Sequence, residues 1–565
     1  AGSTAYETGL NRLAHDDLTT AEKLAAAASL VESGAPFPKA EIRDGYAQAM
    51  LFDEHTWGSQ DSISEPEAEW VRGQWIQKSS HAYEAREIAG SVRDRSLAVL
   101  ARGITTGDGL PLAVFNPLSW SRTDVVRVIL PRLLAELEGR FRLIDNRTGA
   151  EIPFQILDPN ILMFRAENVP SIGYAVFTAA PGEPSAPAEA GAVIEDNRIE
   201  NRFFQVTADP VTGGLRSLVD KETGRELVDP ASAFGLNQLI YENPEGGREA
   251  VDDRSKRAAF RRYFPESAAV SAGFRGPVAS SLVLSSRMFR FPEIRQEIIL
   301  YDDLKRIDFI NRMRKEETTE AEAAYFAFPF RVENGRLRLE IADAVMSPEA
   351  DPLPGTTRDW LAVQNWIEAA GTKNTVVWAP LEAPLVQLGD INTGKWQAKM
   401  DVARPFVFSY VLNNYWMTNF KASQGGPLVF RYALTSRPGG SDQVAAARFG
   451  AEARTPLLAE WLPNQTAGVL PADSLSFFAV DQPNVLIQTV TAPESGEGIV
   501  LRLREIAGRE TRTRVSSSLF TAETLTYTAT DIGEHPANAF EVVPRSIYVD
   551  LKPFQILTVK IRSPR

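Results

Sequence analysis

Apolar residues recur with a helical period over the first hundred positions and with a strand period over almost all that follows. Leu10, Leu13, Ala21, Leu24 and Ala28 are spaced near 3.6, with Asp, Glu, Lys and Arg between them, which predicts an amphipathic helix. Ile42, Tyr46 and Met50 form a shorter second stripe. Val71, Trp75, Ala82, Ala85, Ala89, Val92 and Val99 then keep one face for about 38 residues, roughly 57 Å of helix. Ser64-Glu65-Pro66-Glu67 reads as its start, with Ser64 as cap and Glu67 where a capping box places it. A helix of that length needs partners along it, and the first two stripes supply them. The expectation is a three-helix bundle over 1–106.

At Gly107-Asp108-Gly109 the period changes. Short apolar runs at Phe141–Ile144, Ile152–Leu157, Ile161–Phe164 and Tyr174–Thr178 predict strands. Residues 179–193, AAPGEPSAPAEAGAV, read as a linker or disordered loop. Alternation around Phe203, Gln205 and Thr207, with turns at Asp209-Pro210, Gly213-Gly214 and Lys221–Gly224, predicts hairpins. Further strands are expected at Arg295–Leu300, Ile307–Arg312, Tyr325–Val332, Leu385–Leu388, Val407–Leu412, Leu428–Ala433, Ile499–Leu503 and Ile547–Leu551. Short helices are expected near Gln443–Gly450 and Pro456–Trp461. No repeat of fixed period is present. The fold class expected is multidomain α plus all-β: the bundle over 1–106, a small β-sandwich over 107–192, a large β-sandwich over 193–440 and a C-terminal β domain over 441–565.

Composition narrows the function. At 565 residues the chain is too long for one core. Its net charge of −13 and pI near 5.1 speak against nucleic acid or an anionic membrane as partner. The basic cluster Arg254, Lys256, Arg257, Arg261 and Arg262 follows Asp252-Asp253 and reads as a solvated surface. Without cysteine there is no disulfide, thiol nucleophile or Cys-based metal site, which leans towards a bacterial or cytosolic protein. No run of 18 apolar residues spans a membrane. A glycine-rich phosphate loop, H-E-x-x-H and G-x-S-x-G are all missing.

Two stretches hold candidate chemistry. In LFDEHTWGSQDSIS, His55 stands at the predicted end of the second helix, near Gly58, which can stop a helix in a left-handed conformation. It is either a packed or capping histidine or one aimed out of its own domain. Asp53 and Glu54 point about 100° apart on a helix and cannot form a catalytic pair. The second stretch is YVLNNYWMTNFKASQGG. Asn413, Asn414 and Asn419 interleave with Tyr415, Trp416 and Phe420 there, a composition that suits a carbohydrate surface or a satisfied polar corner of a sandwich. Asn413, Asn414, Trp416 and Asn419 are the substrate-binding candidates, with Trp360, Gln364 and Trp366 in RDWLAVQNW as a weaker set. His15-Asp16-Asp17 spreads around a helix and reads as a solvated face; His81 and His535 read as structural or surface residues.

Taken in order, several segments resemble family 38 glycoside hydrolases, the retaining α-mannosidases. AGSTAYETGLNRLAHDDLTTAEKL resembles the join between catalytic and helical domains, and LFDEHTWGSQDSIS the zinc-ligand loop, more often H-H-D. VFNPLSWSRTDVV resembles the start of the first β domain. ENRFFQV, SLVDKETGREL, AYFAFPF, LPGTTRDWLAVQNW, INTGKW and NNYWMTNF resemble the large sandwich, whose fold is similar to galactose mutarotase. The resemblance implies that His55 is a zinc ligand of the complete enzyme. It also implies a mannoside-containing oligosaccharide as substrate, with zinc on the sugar's vicinal hydroxyls and a carboxylate forming the glycosyl intermediate. Family members begin with a βα catalytic domain that carries both catalytic aspartates and the remaining zinc ligands. This chain starts inside a W-E-D-G-A-G-S-T-A pattern, so it is expected to be a piece lacking that domain, inactive alone and holding no zinc tightly. The alternative is a non-catalytic carbohydrate-binding or scaffold protein.

Overall fold

The computed structural model describes residues 4–562 except 33–35, 55–57, 159, 186–190, 254, 256, 417–419, 464–466, 495–497, 520–525, 532, 539, 540, 544 and 545. Helices α1 (Ala5–Val31), α2 (Lys39–Asp53) and α3 (Glu69–Gly103) come first, and antiparallel strands fill nearly all the rest. The chain forms two compact units. One gathers Ala1–Leu13, Gln48–Glu84 and Ala190–Arg454; the other gathers Ala14–Ala47, Ala85–Glu189 and Thr455–Arg565. Each of the three helices therefore contributes to both.

The first unit is built on a nine-stranded and a six-stranded sheet, with a five-stranded sheet from Val193–Glu195 to Arg225–Glu226. In the six-stranded sheet Ala323–Pro329 lies between Gln238–Pro244 and Phe406–Asn413. Both faces of these strands are covered. Ala324, Phe326, Phe328, Val407 and Val411 join one core, while Ala323, Tyr325, Ala327, Phe408 and Tyr410 join another. Hence AAYFAFP is buried at every position and shows no polar alternation.

The second unit holds a five-stranded sheet around Leu110–Asn116 and Gly173–Pro181, a three-stranded sheet, and two C-terminal sheets of four and five strands. Leu24, Ala27, Leu97 and Leu100 of the helices pack with Phe477, Val490, Leu501 and Val559 of the strands. Among the helices Gly45 permits close approach: a Cβ there would stand 2.6 Å from Leu18 Cδ2. Asp17, expected on a solvated face, instead pairs with Arg86 and with Arg93 at 2.9 Å.

Three local expectations are corrected. The third helix starts at Glu69, because Asp61–Ala68 winds in turns closed by Glu65 N to Asp61 O at 2.8 Å; Ser64 Oγ donates to Asp61 O at 3.3 Å and caps nothing. Pro456–Trp461 is not helical. Leu458–Trp461 pairs with Leu110–Asn116 as an edge strand, since so short an apolar run carries no periodicity and the open sheet edge decides its form. The linker is shorter than expected, with strands reaching Pro181 and resuming at Val193.

Lys23 gives the second unit a pH dependence. It is 6% exposed, its ammonium donates to Pro117 O at 3.3 Å, and burial, only partly offset by Glu22, pulls its pKa from 10.5 to about 8. Between those values the unfolded chain binds a proton that the folded chain does not, so this group's contribution to stability rises with pH across that window. Lys23→Met should flatten that slope, by about 1.4 kcal/mol for each pKa unit of depression, as read from urea midpoints below and above the window.

Candidate functional site

His55 itself lies outside the described residues, but the structure on either side of it is closely held. α2 ends at Asp53, and the termination differs from that expected. Gly58 (φ +137°) lies too far along to cap it; instead Lys78 of α3 donates from its ammonium to Leu51 O at 2.7 Å and to Glu54 O. A cation at a helix C-terminus meets the exposed carbonyls and the negative end of the dipole. Gly58 serves another purpose: a Cβ there would stand 2.9 Å from the Lys78 stem. Burial lowers the Lys78 pKa, and Glu54 and Asp53 oppose that shift. Asp53 also accepts from Asn11 Nδ2 of α1 at 2.9 Å, so all three helices converge on this end.

The loop after His55 then runs to the second candidate stretch. Ser62 is 2% exposed, and its hydroxyl donates to the carbonyl of Phe420. That carbonyl directly follows Asn419, which is outside the described residues. Asn413 ends the strand Phe406–Asn413, opposite Ala323. Asn414 is fully engaged: its Oδ1 accepts from Glu322 N at 2.7 Å and its Nδ2 donates to Ala422 O at 2.8 Å. Tyr415 is buried and donates to the Glu242 carboxylate at 2.9 Å. Trp416 is half-buried, its ring 5.0 Å from that of Trp360. Trp366 lies in the core, fully buried. Asn414 and Tyr415 thus form a satisfied polar corner, while Trp416 and Trp360 are partly buried against the same core.

Under that corner lie groups the sequence reading missed. Lys315 and Glu322 form an ion pair of 2.7 Å with side chains 0% and 1% exposed. Burial pushes each towards its neutral form and the pairing opposes this. Tyr241 donates to Glu322 at 2.7 Å, and Lys315 also donates to Gln424 O at 3.0 Å. Glu242 accepts from Tyr325, Tyr415 and Arg262, which removes Arg262 from the solvated cluster expected. Lys315 and Glu322 lie in the charged run RKEETTEAEAA, where nothing in the sequence marks which groups pair. The other histidines are placed simply: His81 Nδ1 is 2.6 Å from Gln48 Oε1, and exposed His535 contacts Asp531.

Zinc donors are the remaining question. Among the described residues no three His, Cys, Asp or Glu side chains stand together as a metal site. Those residues therefore do not fit a zinc centre by themselves, and no step is derived through one.

The architecture is that of a multidomain antiparallel β protein headed by three helices. Residues 199–366 match the sequence model of the glycosyl hydrolases family 38 C-terminal domain, and residues 484–559 that of the family's C-terminal beta sandwich domain. These two segments are similar to C-terminal domains of glycosyl hydrolases family 38. It is 24% identical over 402 residues to alpha-mannosidase 2C1 of Homo sapiens, covering 69% of this chain and 36% of that protein. It thus spans about a third of that curated relative's length. Two solved structures from Enterococcus faecalis share the fold over 99% of this chain at 16% identity. One is an alpha-mannosidase (TM-score 0.74, 67% of its chain) and the other a glycosyl hydrolase family 38 protein (TM-score 0.72, 70% of its chain).

The buried pair can be tested directly. Glu322→Gln keeps the side chain's size but strands the Lys315 charge, and should cost roughly 3–5 kcal/mol in urea unfolding. Lys315→Met combined with Glu322→Leu should recover most of that loss.

Proposed function

We propose that this chain is the C-terminal region of a zinc-dependent, retaining α-mannosidase, and that its part is to shape the sugar site, the reacting carboxyl groups belonging to a catalytic domain outside these residues. Two segments similar to family 38 domains, in order along the chain, support this, together with relatives named as α-mannosidases. The observation that carries the site is the Ser62–Phe420 hydrogen bond, because it brings the chain just after His55 to the chain just after Asn419. In the division read from the sequence, these loops belong to the helical part (1–106) and the large sandwich (193–440).

In this reading His55 supplies one zinc ligand, and the catalytic domain supplies the others. When bound, zinc offers positive charge to the sugar's oxygens. Asn413 and Asn419 offer amide groups to hydroxyls, and Trp416, backed by Trp360, offers a flat face to the pyranose ring. Asn414 acts from beneath, tying the loop to the backbone of Glu322 and Ala422. A mannoside-containing oligosaccharide is the substrate class.

In the complete enzyme, His55→Ala should lower bound zinc, measured by mass spectrometry of the purified protein, together with hydrolysis of an aryl α-mannoside. The melting temperature should stay unchanged. Stoichiometric zinc in that variant would refute the ligand role. Trp416→Ala should raise KM about tenfold, the order expected for loss of one stacking face, with kcat less affected. The isolated chain should hydrolyse no aryl α-mannoside with zinc added; turnover that follows the purified chain would show that it holds its own catalytic groups.

A further inference from the structure

We infer that the first unit carries an accessory binding site for a neutral saccharide: a cleft at the end of the six-stranded sheet remote from Asn413, where Arg225, Arg331 and Asp401 take the sugar's hydroxyls. This goes beyond the site proposed above and shares with it only the class of ligand. The cleft holds about 680 Å³, within the range of small-molecule sites. Its place follows from the register of one strand. Ala323 pairs with Asn413, and Pro329, at the other end, pairs with Phe406. Residues 330–336 and 401–405, which adjoin that second end, line the cleft. At the strand rise the two pairs stand roughly 20 Å apart.

The lining is polar, and its four arginines and five carboxylates nearly balance, so the cleft favours an ion of neither sign. Most of these charges are committed to the fold. Glu226 accepts from Leu218 N at 2.8 Å, from Val228 N at 2.9 Å and from the Ser217 hydroxyl. Glu349 accepts from Val402 N at 3.2 Å and pairs with Arg336 at 3.1 Å, and Arg404 lies 3.7 Å from Asp229. Glu333 pairs with Lys373 at 2.9 Å; Lys373, and after it Arg225, hold the Glu333 carboxyl below its usual range. What stays uncommitted includes both donors and an acceptor. Among the described residues, the side chains of Arg225, Arg331 and Asp401 make no hydrogen bond or ion pair. Asn374, 2% exposed, lines the same cleft, and its Nδ2 has no hydrogen-bond partner among them either. A hydroxyl both donates and accepts, so a polyol satisfies guanidinium and carboxylate together, whereas an anion is repelled by Asp401 and a cation by Arg225 and Arg331. The walls are closely packed turns. Asn334 (φ +52°) and Gly335 reverse the chain, with Gly335 N donating to Val332 O at 3.0 Å. A Cβ on Gly371 would stand 2.6 Å from the Glu333 carbonyl, so the turn before Asn374 seats directly on this one. Walls fixed in this way lose little freedom on binding.

The test uses the full 565-residue chain, with α-linked mannotriose as probe in calorimetric titrations, inorganic phosphate as a control ion, and thermal melts of each variant. Arg225→Ala combined with Arg331→Ala should weaken mannotriose binding roughly tenfold or more and leave the melting temperature unchanged, because neither guanidinium bonds to the protein. Asp401→Ala should weaken binding too, and Asp401→Asn, which keeps an acceptor oxygen, should weaken it less. The arginine pair is removed again in a Trp416→Ala background, where only the cleft's share of binding remains. Normal mannotriose binding without the arginine pair in both backgrounds overturns the inference, as does an unmodified chain that binds none. If the double variant melts well below the unmodified chain, Asp401→Ala decides, and normal binding there overturns the inference. If Trp416→Ala alone abolishes binding, the site proposed above stands and the cleft falls. If Trp416→Ala changes nothing and the arginine pair carries all the binding, the cleft stands and the stacking role of Trp416 falls. Phosphate binding lost with the arginine pair while mannotriose binding is unchanged would make the cleft an anion site and overturn its saccharide assignment.

Discussion

The ion pair between Lys315 and Glu322 is the constraint on which the candidate site in the first unit depends. Two full charges removed from water must satisfy each other and every remaining polar atom nearby, or the cost is several kcal/mol. The pair meets that condition by recruiting its surroundings. Glu322 takes a hydrogen bond from Tyr241 and its backbone exchanges two with Asn414; Lys315 adds bonds to the carbonyls of Glu316 and Gln424. Gln424 in turn accepts from Ala5 N, at the start of α1, at 2.6 Å. A buried pair is weak support for stability, but it admits few arrangements, so it fixes where this corner of the chain sits.

The same logic explains why polar residues are concentrated beneath the six-stranded sheet. Its strands are covered on both faces, so side chains facing away from the main core are also buried. Tyrosines serve there because each offers a large apolar ring and one hydroxyl that a single carboxylate can satisfy. Glu242 does this for Tyr325 and Tyr415, whose own ionisation is pushed far up by burial and by that carboxylate. The result is a rigid base under a surface loop, with Asn414 and Tyr415 facing in and Trp416 only partly buried. A loop held in this way would lose little freedom on meeting a ligand.

Lys78 plays a comparable part at the other loop. Its stem packs on Gly58 and its ammonium closes the last turn of α2, so the segment carrying His55 leaves a helix end that is fixed from the side. The two loops meet through Ser62 and Phe420.

The order of elements was legible in the sequence because period is a local property. The three helical stripes, the hairpin turns after Asp209 and Lys221, and the strands at Val407–Leu412 and Leu428–Ala433 all follow from alternation and turn residues within a few positions. The family resemblance was legible for a similar reason, as short segments kept in order. What failed locally were short or ambiguous pieces: Ser64, where turns from Asp61 delay the helix, and Leu458–Trp461, which a sheet edge converts to strand. The amide-aromatic stretch could be found from composition, yet its division between Asn414 turned inward and Trp416 only partly buried could not. That division depends on Glu322, 92 residues away in the chain. The partners of Lys315 and Glu242 were likewise invisible, because a charge shows its purpose only once folding has removed water from around it and placed the opposite group at hydrogen-bond distance.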